Sequence, residues 1–295
     1  MAAAETYAAH FGTAASSTTP DAEYEFTDLS LRLNEELIEA MGLRGTRSKA
    51  SERVRQNTRA PGFTITLQPN SVELDTWLPR ILGGSESTDS FPLAETLPTF
   101  VATFDLVTTR LSLTGCKVNS AVFRSGAGQL LDVTLDVEAL DFSTSATAWS
   151  TFSLAVSTVG PYIFSDSASG LSIGGSTYQF FSWSLECRNE LDLTRFLNSQ
   201  VRVSLPEQDR KIIWTWDGPH GDNWSGLNAP SSAGVASVAA FTLGGRSLTF
   251  TSNKVAYPRP FPVTPMRAEM RLPLSGEARK DGSTEALTTV NDSSA

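Results

Sequence analysis

Few residues of the chain could carry hydrolytic chemistry, and their setting does not suit it. The stretch "GLSIG" at 170–174 fits the Gly-x-Ser-x-Gly pattern of serine hydrolases, with Ser172 as the nucleophile. That chemistry needs a sharp strand-to-helix turn and a histidine base. Ser172 instead runs into two further glycines and another strand-like stretch, and the chain has only two histidines, His10 and His220. We therefore expect no enzyme.

The residue types that bind metals and sugars give no clear site either. Cys116 and Cys187 are too few for a disulfide framework and lack a metal-ligand spacing. Trp214, Trp216 and Trp224 could form a sugar-binding platform, but the first two share one face of a predicted strand, which is more typical of a core. We expect neither metal nor cofactor. A soluble carbohydrate-binding or adhesive β-protein remains the alternative function.

The charge balance argues against binding to nucleic acid. The chain has 23 basic and 32 acidic side chains among 295 residues, a net charge of -9. A protein that coats DNA gains affinity by neutralising phosphates, which this chain would repel. The sequence shows no secretory signal and no apolar stretch near the roughly 18 residues of a membrane span. We expect a reducing compartment and no membrane partner.

Two stretches predict a helix that follows a strand. Asn70 with Glu73 matches a capping box, and Asn189 with Asp192 is a shorter version of it. The alternating stretches "FTITL" at 63–67 and "FSWSL" at 181–185 precede them and predict half-buried strands. Apolar residues follow at helical spacing, namely Leu74, Trp77, Leu78 and Ile81 in the first copy and Leu193, Phe196 and Leu197 in the second.

The similarity continues downstream of the predicted helices. "LSLTGCKV" at 111–118 is similar to "LTFTSNKV" at 248–255. The apolar positions of the next strand also correspond, in the pairs Val133 and Met270, Leu135 and Leu272, and Val137 and Leu274. Extra residues of the second copy are placed in the Gly- and Pro-rich stretch 217–234, predicted to be a long loop. The pattern predicts a duplicated, mainly β chain with one helix flanking each module.

This organisation predicts three regions: a flexible arm at 1–30, a first module at 31–160 and a second module at 161–295. Within the first module, "LRLNEELIEAMG" at 31–42 predicts a short helix that ends at Gly42. A basic run follows it, with Arg44, Arg47, Lys49, Arg53, Arg55 and Arg59. Such a run is usually a solvated loop, but in an acidic chain it could contact an acidic patch on another copy.

The strand predicted within "LLDVTLDVEAL" has two different faces. Alternation directs Val133 and its apolar neighbours to one face and Asp132, Asp136 and Glu138 to the other. On the corresponding strand of the second copy, Glu269 lies on the matching face. Three acids on one strand face are usually only a solvated surface, so this pattern alone assigns no function.

Several stretches together resemble a known family. They are "LRGTRSKASERVRQN", "FTITLQPNSVELDTWLPRILGG", "LPTF", "GCKVNSAVF", "LDLTRFLNSQVRVSLPEQDR" and "LPLSGEARK". From about residue 40 to the C-terminus the chain resembles the tail tube, or major tail, proteins of long non-contractile-tailed bacteriophages. It looks closest to their duplicated branch, whose members have about the length of this chain. These motifs are structural rather than catalytic.

The resemblance implies two tandem β-sandwich or half-barrel modules, each with a flanking helix. Duplicated members are expected to form homotrimeric rings with pseudo-sixfold symmetry, which stack into a hollow tube. The implied location is the virion tail, with the host cytoplasm during assembly. The implied partners are other copies of the chain, a tape measure protein inside the tube, tail terminator and distal tail proteins at its ends, and genomic DNA that passes without specific binding.

The resemblance also suggests roles for the charged residues. An acidic lumen would let DNA pass without sticking, because basic side chains would hold its phosphates. Asp132, Asp136, Glu138 and, less directly, Glu269 are therefore candidates to face the lumen. The basic run from Arg44 to Arg59 is the candidate for contacts between subunits or rings.

Overall fold

The structure is a computed structural model that describes residues 10–40, 51–106, 109–146, 159–167, 170–264 and 269–294, with side chains at all of these positions except 222–225. The first half contains β1 (His10–Ala14), β2 (Ala22–Tyr24), β3 (Asp28–Arg32), β4 (Glu35–Glu39), β5 (Val54–Arg59), β6 (Gly62–Leu67), α1 (Ser71–Leu82), β7 (Ser90–Phe91), β8 (Phe100–Asp105), β9 (Arg110–Gly126), β10 (Asp132–Glu138) and β11 (Asp141–Ser145).

The second half contains β12 (Leu171–Ile173), β13 (Ser176–Thr177), β14 (Ser182–Arg188), β15 (Lys211–Pro219), α2 (His220–Leu227), β16 (Ser231–Leu243), β17 (Arg246–Tyr257), β18 (Arg271–Arg279) and β19 (Thr288–Asp292). Single 3-10 turns occur at Ser51–Arg53 and Phe164–Ser167. Strands dominate, so the predicted mainly β fold is confirmed. In the described part of the chain, neither helix has the length and apolar content that would span a bilayer.

One antiparallel sheet runs through the molecule in the order β3–β6–β10–β9–β14–β15–β18–β17. We call it the eight-stranded sheet. Its first four strands come from the first half of the chain and its last four from the second. The joint between the halves is the pairing of β9 with β14, which runs from Ser120 opposite Arg188 to Gly126 opposite Ser182.

A second sheet packs over the first half of the eight-stranded sheet. Its order is β2–β1–β8–β9–β11, and it shares the N-terminal part of the 17-residue strand β9. Aromatic rings fill the space between the two sheets: the Phe11 ring lies 5.9 Å from the Phe63 ring and 5.0 Å from the Phe104 ring, measured between centroids. Such tilted and stacked rings are favoured in cores.

The prediction of a flexible arm at 1–30 is wrong for residues 10–24. This segment forms β1 and β2, and β1 pairs with β8 from His10 opposite Asp105 to Ala14 opposite Val101. The reason is Phe11, which is fully buried among aromatic rings and anchors the segment despite its Ala- and Thr-rich surroundings. Residues 1–9 lie outside the described part of the chain.

The helix predicted at Asn70 is confirmed as α1. The Asn70 side chain accepts hydrogen bonds from the backbone N–H groups of Val72 and Glu73, and the Glu73 carboxylate accepts one from the Asn70 N–H. This is a complete capping box, which satisfies N–H groups that the first helical turn leaves unpaired. The predicted stripe of Leu74, Trp77, Leu78 and Ile81 is fully buried.

The strand pairing of the first half recurs in the second half. β6 lies between β3 and β10, while β15 lies between β14 and β18. A helix follows directly after each middle strand, α1 after β6 and α2 after β15. β9 then pairs with β8 and β10 in the same way that β17 pairs with β16 and β18. The buried rings of Trp214 and Trp216 therefore correspond to Phe63 and Ile65.

The sequence comparison placed the second copy in the wrong register. It matched "FTITL" of β6 with "FSWSL", but the latter belongs to β14, whose counterpart is β3. The predicted helix at 189–197 is consequently absent from this described segment. The backbone of Glu190, Leu197 and Asn198 has positive φ values of 46°, 40° and 64°, which a right-handed helix cannot contain.

The predicted long loop at 217–234 is also wrong in most of its length. β15 continues to Pro219, α2 spans His220–Leu227, and β16 begins at Ser231. The Gly- and Asn-rich composition disfavours a helix. Its place after β15 is nonetheless the helix position of the repeat, so tertiary packing overrides local propensity.

The helix predicted at 31–42 is replaced by strands. β3 continues to Arg32, Asn34 turns the chain with a φ of 42°, and β4 then pairs with β5. The turn residue breaks the helical pattern that the surrounding apolar residues suggested, because a φ above zero does not fit a right-handed helix. Gly42 lies outside the described residues.

The main apolar core of the described residues extends through both halves. The Phe123 ring of the first half lies 4.9 Å from the Phe250 ring of the second, again between centroids. The C-terminal strand adds a polar tie, because the Asn291 side-chain amide donates to the Ser71 carbonyl and to the Asp75 carboxylate, at 2.7 and 2.6 Å. The boundary predicted at residue 160 therefore separates two copies that do not pack as independent bodies.

Candidate functional site

The eight-stranded sheet has one covered face and one polar face. Alternation directs Phe63, Trp183 and Trp214 into the core, so the residues between them point the opposite way. We call this opposite side the polar face. Its charged and hydroxyl members include Ser30, Arg32, Thr64, Arg124, Asp132, Asp136, Glu138, Ser184, Glu186, Thr215, Asp217, Arg271 and Glu277.

Asp136 and Glu138 lie on this face, as predicted, but they are not free acids. The Arg32 guanidinium lies 2.6 Å from the Asp136 carboxylate and 3.0 Å from that of Glu138. Arg202 reaches Glu138 from the segment between β14 and β15, at 2.6 Å. The side chains of Arg202 and Glu138 are only 5% and 9% exposed. These four residues form a neutralised cluster.

Hydrogen bonds complete the cluster. The Thr64 hydroxyl and the Asn119 amide donate to the Asp136 carboxylate, at 3.2 and 3.1 Å. Burial lowers the pKa of the Arg32 guanidinium, but the hydrogen bond and charge of Asp136, together with Glu138, outweigh it and leave this pKa raised. Arg32 therefore stays charged and committed to its carboxylates.

Asp132 is also paired, although less closely. Its carboxylate accepts a hydrogen bond from the Gln68 amide at 3.0 Å and lies 3.5 Å from the Arg124 guanidinium. The Arg124 side chain is 60% exposed, so solvent screens this ion pair and it contributes little to stability. The sequence suggested a wholly acidic strand face. In the structure this face is ion-paired, because arginines from other parts of the chain contact its carboxylates.

Glu269 is exposed and lies outside a strand, immediately before β18. The predicted correspondence of Met270 with a core position is wrong, because β18 begins at Arg271 and Met270 is 38% exposed. Arg271 forms the ion pair here, at 2.7 Å from the Asp217 carboxylate.

The basic run divides into described and undescribed parts. Arg44, Arg47 and Lys49 lie outside the described residues, Arg53 ends the 3-10 turn before β5, and Arg55 lies in β5 opposite Ile38. Arg59, at the base of the hairpin, pairs with Asp141 at 2.8 Å.

The β4–β5 hairpin has exposed apolar side chains on both of its faces, with Leu37 and Val54 on one and Ile38 on the other. Leu37, Ile38 and Val54 are 71%, 53% and 41% exposed. In the sequence, Leu37 and Ile38 fell within the helix predicted at 31–42. Several exposed apolar side chains on one short hairpin are typical of a protein contact.

The segment between β14 and β15 forms a second ion pair with the first half of the chain. Lys117 lies 2.6 Å from the Glu207 carboxylate, which also accepts a hydrogen bond from the Leu97 N–H. Burial raises the pKa of Glu207, but these bonds outweigh it and lower this pKa overall. The pair fixes the irregular segment onto the first copy.

The residues considered for catalysis are dispersed. Ser172 lies in the short strand β12, which turns through Gly174 and Gly175 into β13 rather than into a helix. Burial raises the pKa of both Cys116 and Cys187 to about 12, so neither thiol is activated. Within the described residues, no group of His, Cys, Asp and Glu side chains could hold a metal ion.

The tryptophans do not form an exposed sugar platform. Trp214 and Trp216 are fully buried and stack with their ring centroids 5.6 Å apart. The side chain of Trp224 lies outside the described set. Two of the three tryptophans that suggested carbohydrate binding are therefore inaccessible to a sugar.

In the part of the chain that the structure describes, the eight-stranded sheet has an open edge at β3 and another on the segment that follows β17, whereas β17 itself is paired with β16 along its other side. Among the described residues, β3 pairs only with β6. At the other end, Val263 continues the line of β17 beside β18 and exchanges two backbone hydrogen bonds with Arg271, at 2.8 and 3.0 Å. Phe261 and Val263 at this margin are 77% and 52% exposed. Open strand edges of this kind are sites for pairing with another chain.

A comparison with protein families gives one match. Residues 1–268 match the family model described as phage tail tube protein. The match covers the first copy and most of the second, up to the residues that precede β18. No curated protein matches the chain.

Proposed function

The chain belongs to the phage tail tube protein family, and we propose that three copies close into a ring and that such rings stack into the hollow tail tube. The observation that carries this proposal is the eight-stranded sheet, in which two similar four-stranded units join edge to edge through β9 and β14. Among the described residues, β3 at one end and the segment 258–263 after β17 at the other have no strand on their outer side, so other chains can extend the sheet there.

The strand count suits a channel for DNA. Barrels of 16 to 18 strands enclose an aqueous channel, so a passage for a duplex needs more strands. Three chains that each contribute the eight-stranded sheet give a wall of about 24 strands. The six units of such a ring are related by pseudo-sixfold symmetry, because each chain contains two of them.

The polar face is the side that we assign to the lumen, including Asp132, Asp136 and Glu138, with Glu269 at its margin. The opposite face is already covered by α1 and the second sheet. DNA is held on proteins by basic side chains that neutralise phosphates. On this face Arg32 and Arg202 are occupied by carboxylates. The surface therefore offers passing phosphates few free cations.

The β4–β5 hairpin is the element that we assign to contacts between rings or subunits. It lies between β3 and β6 in the chain, and it carries exposed Leu37 and Ile38. The basic run from Arg44 to Arg59 belongs to the same region. Assembly that weakens as salt rises would support ion pairing there, whereas salt-indifferent assembly would support apolar packing.

The proposed partners are those that a tail tube needs to set its length, to close its ends and to deliver DNA. They are other copies of this chain, a tape measure protein inside the tube during assembly, and tail terminator and distal tail proteins at its ends. Genomic DNA passes through without specific binding. The proposed location is the virion tail, after assembly in the host cytoplasm.

Electron microscopy of the purified full chain in negative stain tests the proposal. We expect long hollow filaments with a regular axial repeat. A preparation that contains only monomers or small closed oligomers at every protein concentration and salt condition that the assembled tail withstands would contradict it.

A further inference from the structure

We propose that β3 of one chain pairs with residues 258–264 of a second copy in the same ring, antiparallel, with Ser30 opposite Val263. This inference rests on the proposed ring and specifies its seam. The joint within the chain, between β9 and β14, serves as the template, because the two copies have the same pairing scheme.

Residues 256–263 follow the path that β9 takes in the first copy. In that copy, Lys117 lies opposite Glu138 and Arg124 lies opposite Asp132. In the second copy, Ala256 lies opposite Glu277 and Val263 opposite Arg271. The two paths use the same number of residues between these two points. Val263 therefore occupies the position of Arg124, at the margin where the first copy receives β14.

β3 is the counterpart of β14 with an equally definite register. Ser30 lies opposite Thr64 of β6, and Thr64 lies opposite Asp136 of β10. The matching series in the second copy, listed in the same strand order, is Ser184, Thr215 and Ser275. Ser30 thus occupies the position of Ser184.

The template fixes which residues meet at the seam. Within the chain, Arg124 lies opposite Ser184. Replacing each by its counterpart places Val263 of one chain opposite Ser30 of the next. The same correspondence of positions places Phe261 opposite Arg32, since Val122 lies opposite Glu186 in the template. The apolar stem of Arg32 would then cover the exposed Phe261 ring, while Asp136 and Glu138 hold its guanidinium.

Prolines make this seam weaker than its template. The backbone N–H and C=O of Val263 both point to Arg271, so those of Pro262 and, by alternation, Pro260 point towards the neighbouring chain. Proline has no N–H to donate. The seam between chains therefore receives only carbonyl acceptors at these two positions. Prolines on an open edge also protect a free chain from unplanned strand pairing.

Disulfide cross-linking of the full chain tests the register. Ser30→Cys and Val263→Cys are introduced together, tubes are assembled and oxidised, and the chains are separated on a denaturing, non-reducing gel. We expect covalent dimers and trimers and a ladder that ends at three chains, because the ring closes. The native Cys116 and Cys187 are buried and do not interfere.

Two matched pairs control for geometry. Arg124→Cys with Ser184→Cys reproduces the template within one chain and should cross-link without any increase in chain number. Ser30→Cys with Ser184→Cys uses two positions on the same face that lie four strand spacings apart, roughly 19 Å, and should not cross-link. If the first double variant does not assemble, tubes made from a mixture of the two single variants should yield dimers only.

The outcomes separate this inference from the function on which it rests. Tubes that form normally but give no Ser30–Val263 cross-link, in either the double variant or the mixture, would overturn the seam and leave the tail tube function intact. A ladder that continues beyond three chains would also overturn it, since the strands would then join different rings. Failure of the unmodified chain to form tubes would overturn the proposed function itself.

Discussion

Arg202 shows how a single residue ties the two copies together. It belongs to the irregular segment between β14 and β15, yet its guanidinium lies 2.6 Å from Glu138 on β10, where both side chains are almost fully buried. Alternation in the sequence correctly placed Glu138 on the polar face. It could not reveal the arginine, because a contact between residues so distant in sequence leaves no local pattern.

Replacing Arg202 by leucine is expected to destabilise the folded chain by about 3 kcal/mol. The reason is that Glu138 would retain only Arg32 as a partner for a buried charge. Chemical denaturation of the unassembled chain measures the effect. The control is Arg124→Leu, which breaks an exposed pair and should cost less than about 1 kcal/mol. Equal losses for the two variants would show that burial does not distinguish these pairs.

The charges at the margin of the polar face give a second prediction at the residue scale. Asp132→Lys with Glu269→Lys would free Arg124 and add cations to the assigned lumen, so genome release from virions should slow, most clearly at low salt. The control, Glu86→Lys, changes an exposed acid on the loop after α1. Unchanged release kinetics with intact tails would place these two residues away from the DNA path.

At the scale of elements, local signals predicted α1 but failed for the similar phrase in the second copy. Asn70 caps its helix, whereas the Asn189 amide donates to the carbonyls of Ile81 and Val118, at 3.0 Å each. The same residue type is therefore committed to a partner in the other copy. Strands β6, β9, β10 and β17 were predictable because one buried face imposes alternation. Which strands of the two halves correspond to each other could be determined only from the strand pairing in the structure.

The β4–β5 hairpin supplies the prediction for an element. Leu37→Ser with Ile38→Ser should leave the free energy of unfolding within about 0.5 kcal/mol, since both side chains are exposed. The protein concentration needed for tube assembly should rise at least about tenfold, which corresponds to a loss of about 1.4 kcal/mol per contact. Sedimentation of assembled tubes measures it.

Val72→Ser is the matched control for the hairpin, because Val72 is 49% exposed on α1. Its assembly concentration should stay close to that of the unmodified chain. If the hairpin variant assembled as readily as this control, the hairpin would not be a contact between chains.

At the scale of the whole molecule, duplication produces a subunit with two unlike ends. β9 and β14 are joined within the chain, so half of the seams in the proposed ring are covalently tethered. The remaining seams bring β3 against a margin that contains Pro260 and Pro262. This asymmetry fits the proposed ring, because the internal joint is complete within one chain and the two prolines protect one outer margin until a neighbour occupies it.

The rotational symmetry of one ring, determined by electron cryomicroscopy of purified tubes, tests the central claim most directly. We predict three chains per ring, arranged with pseudo-sixfold symmetry around an open bore that is walled by about 24 strands and lined by the polar face. Six chains per ring, or a filament without a bore, would contradict it.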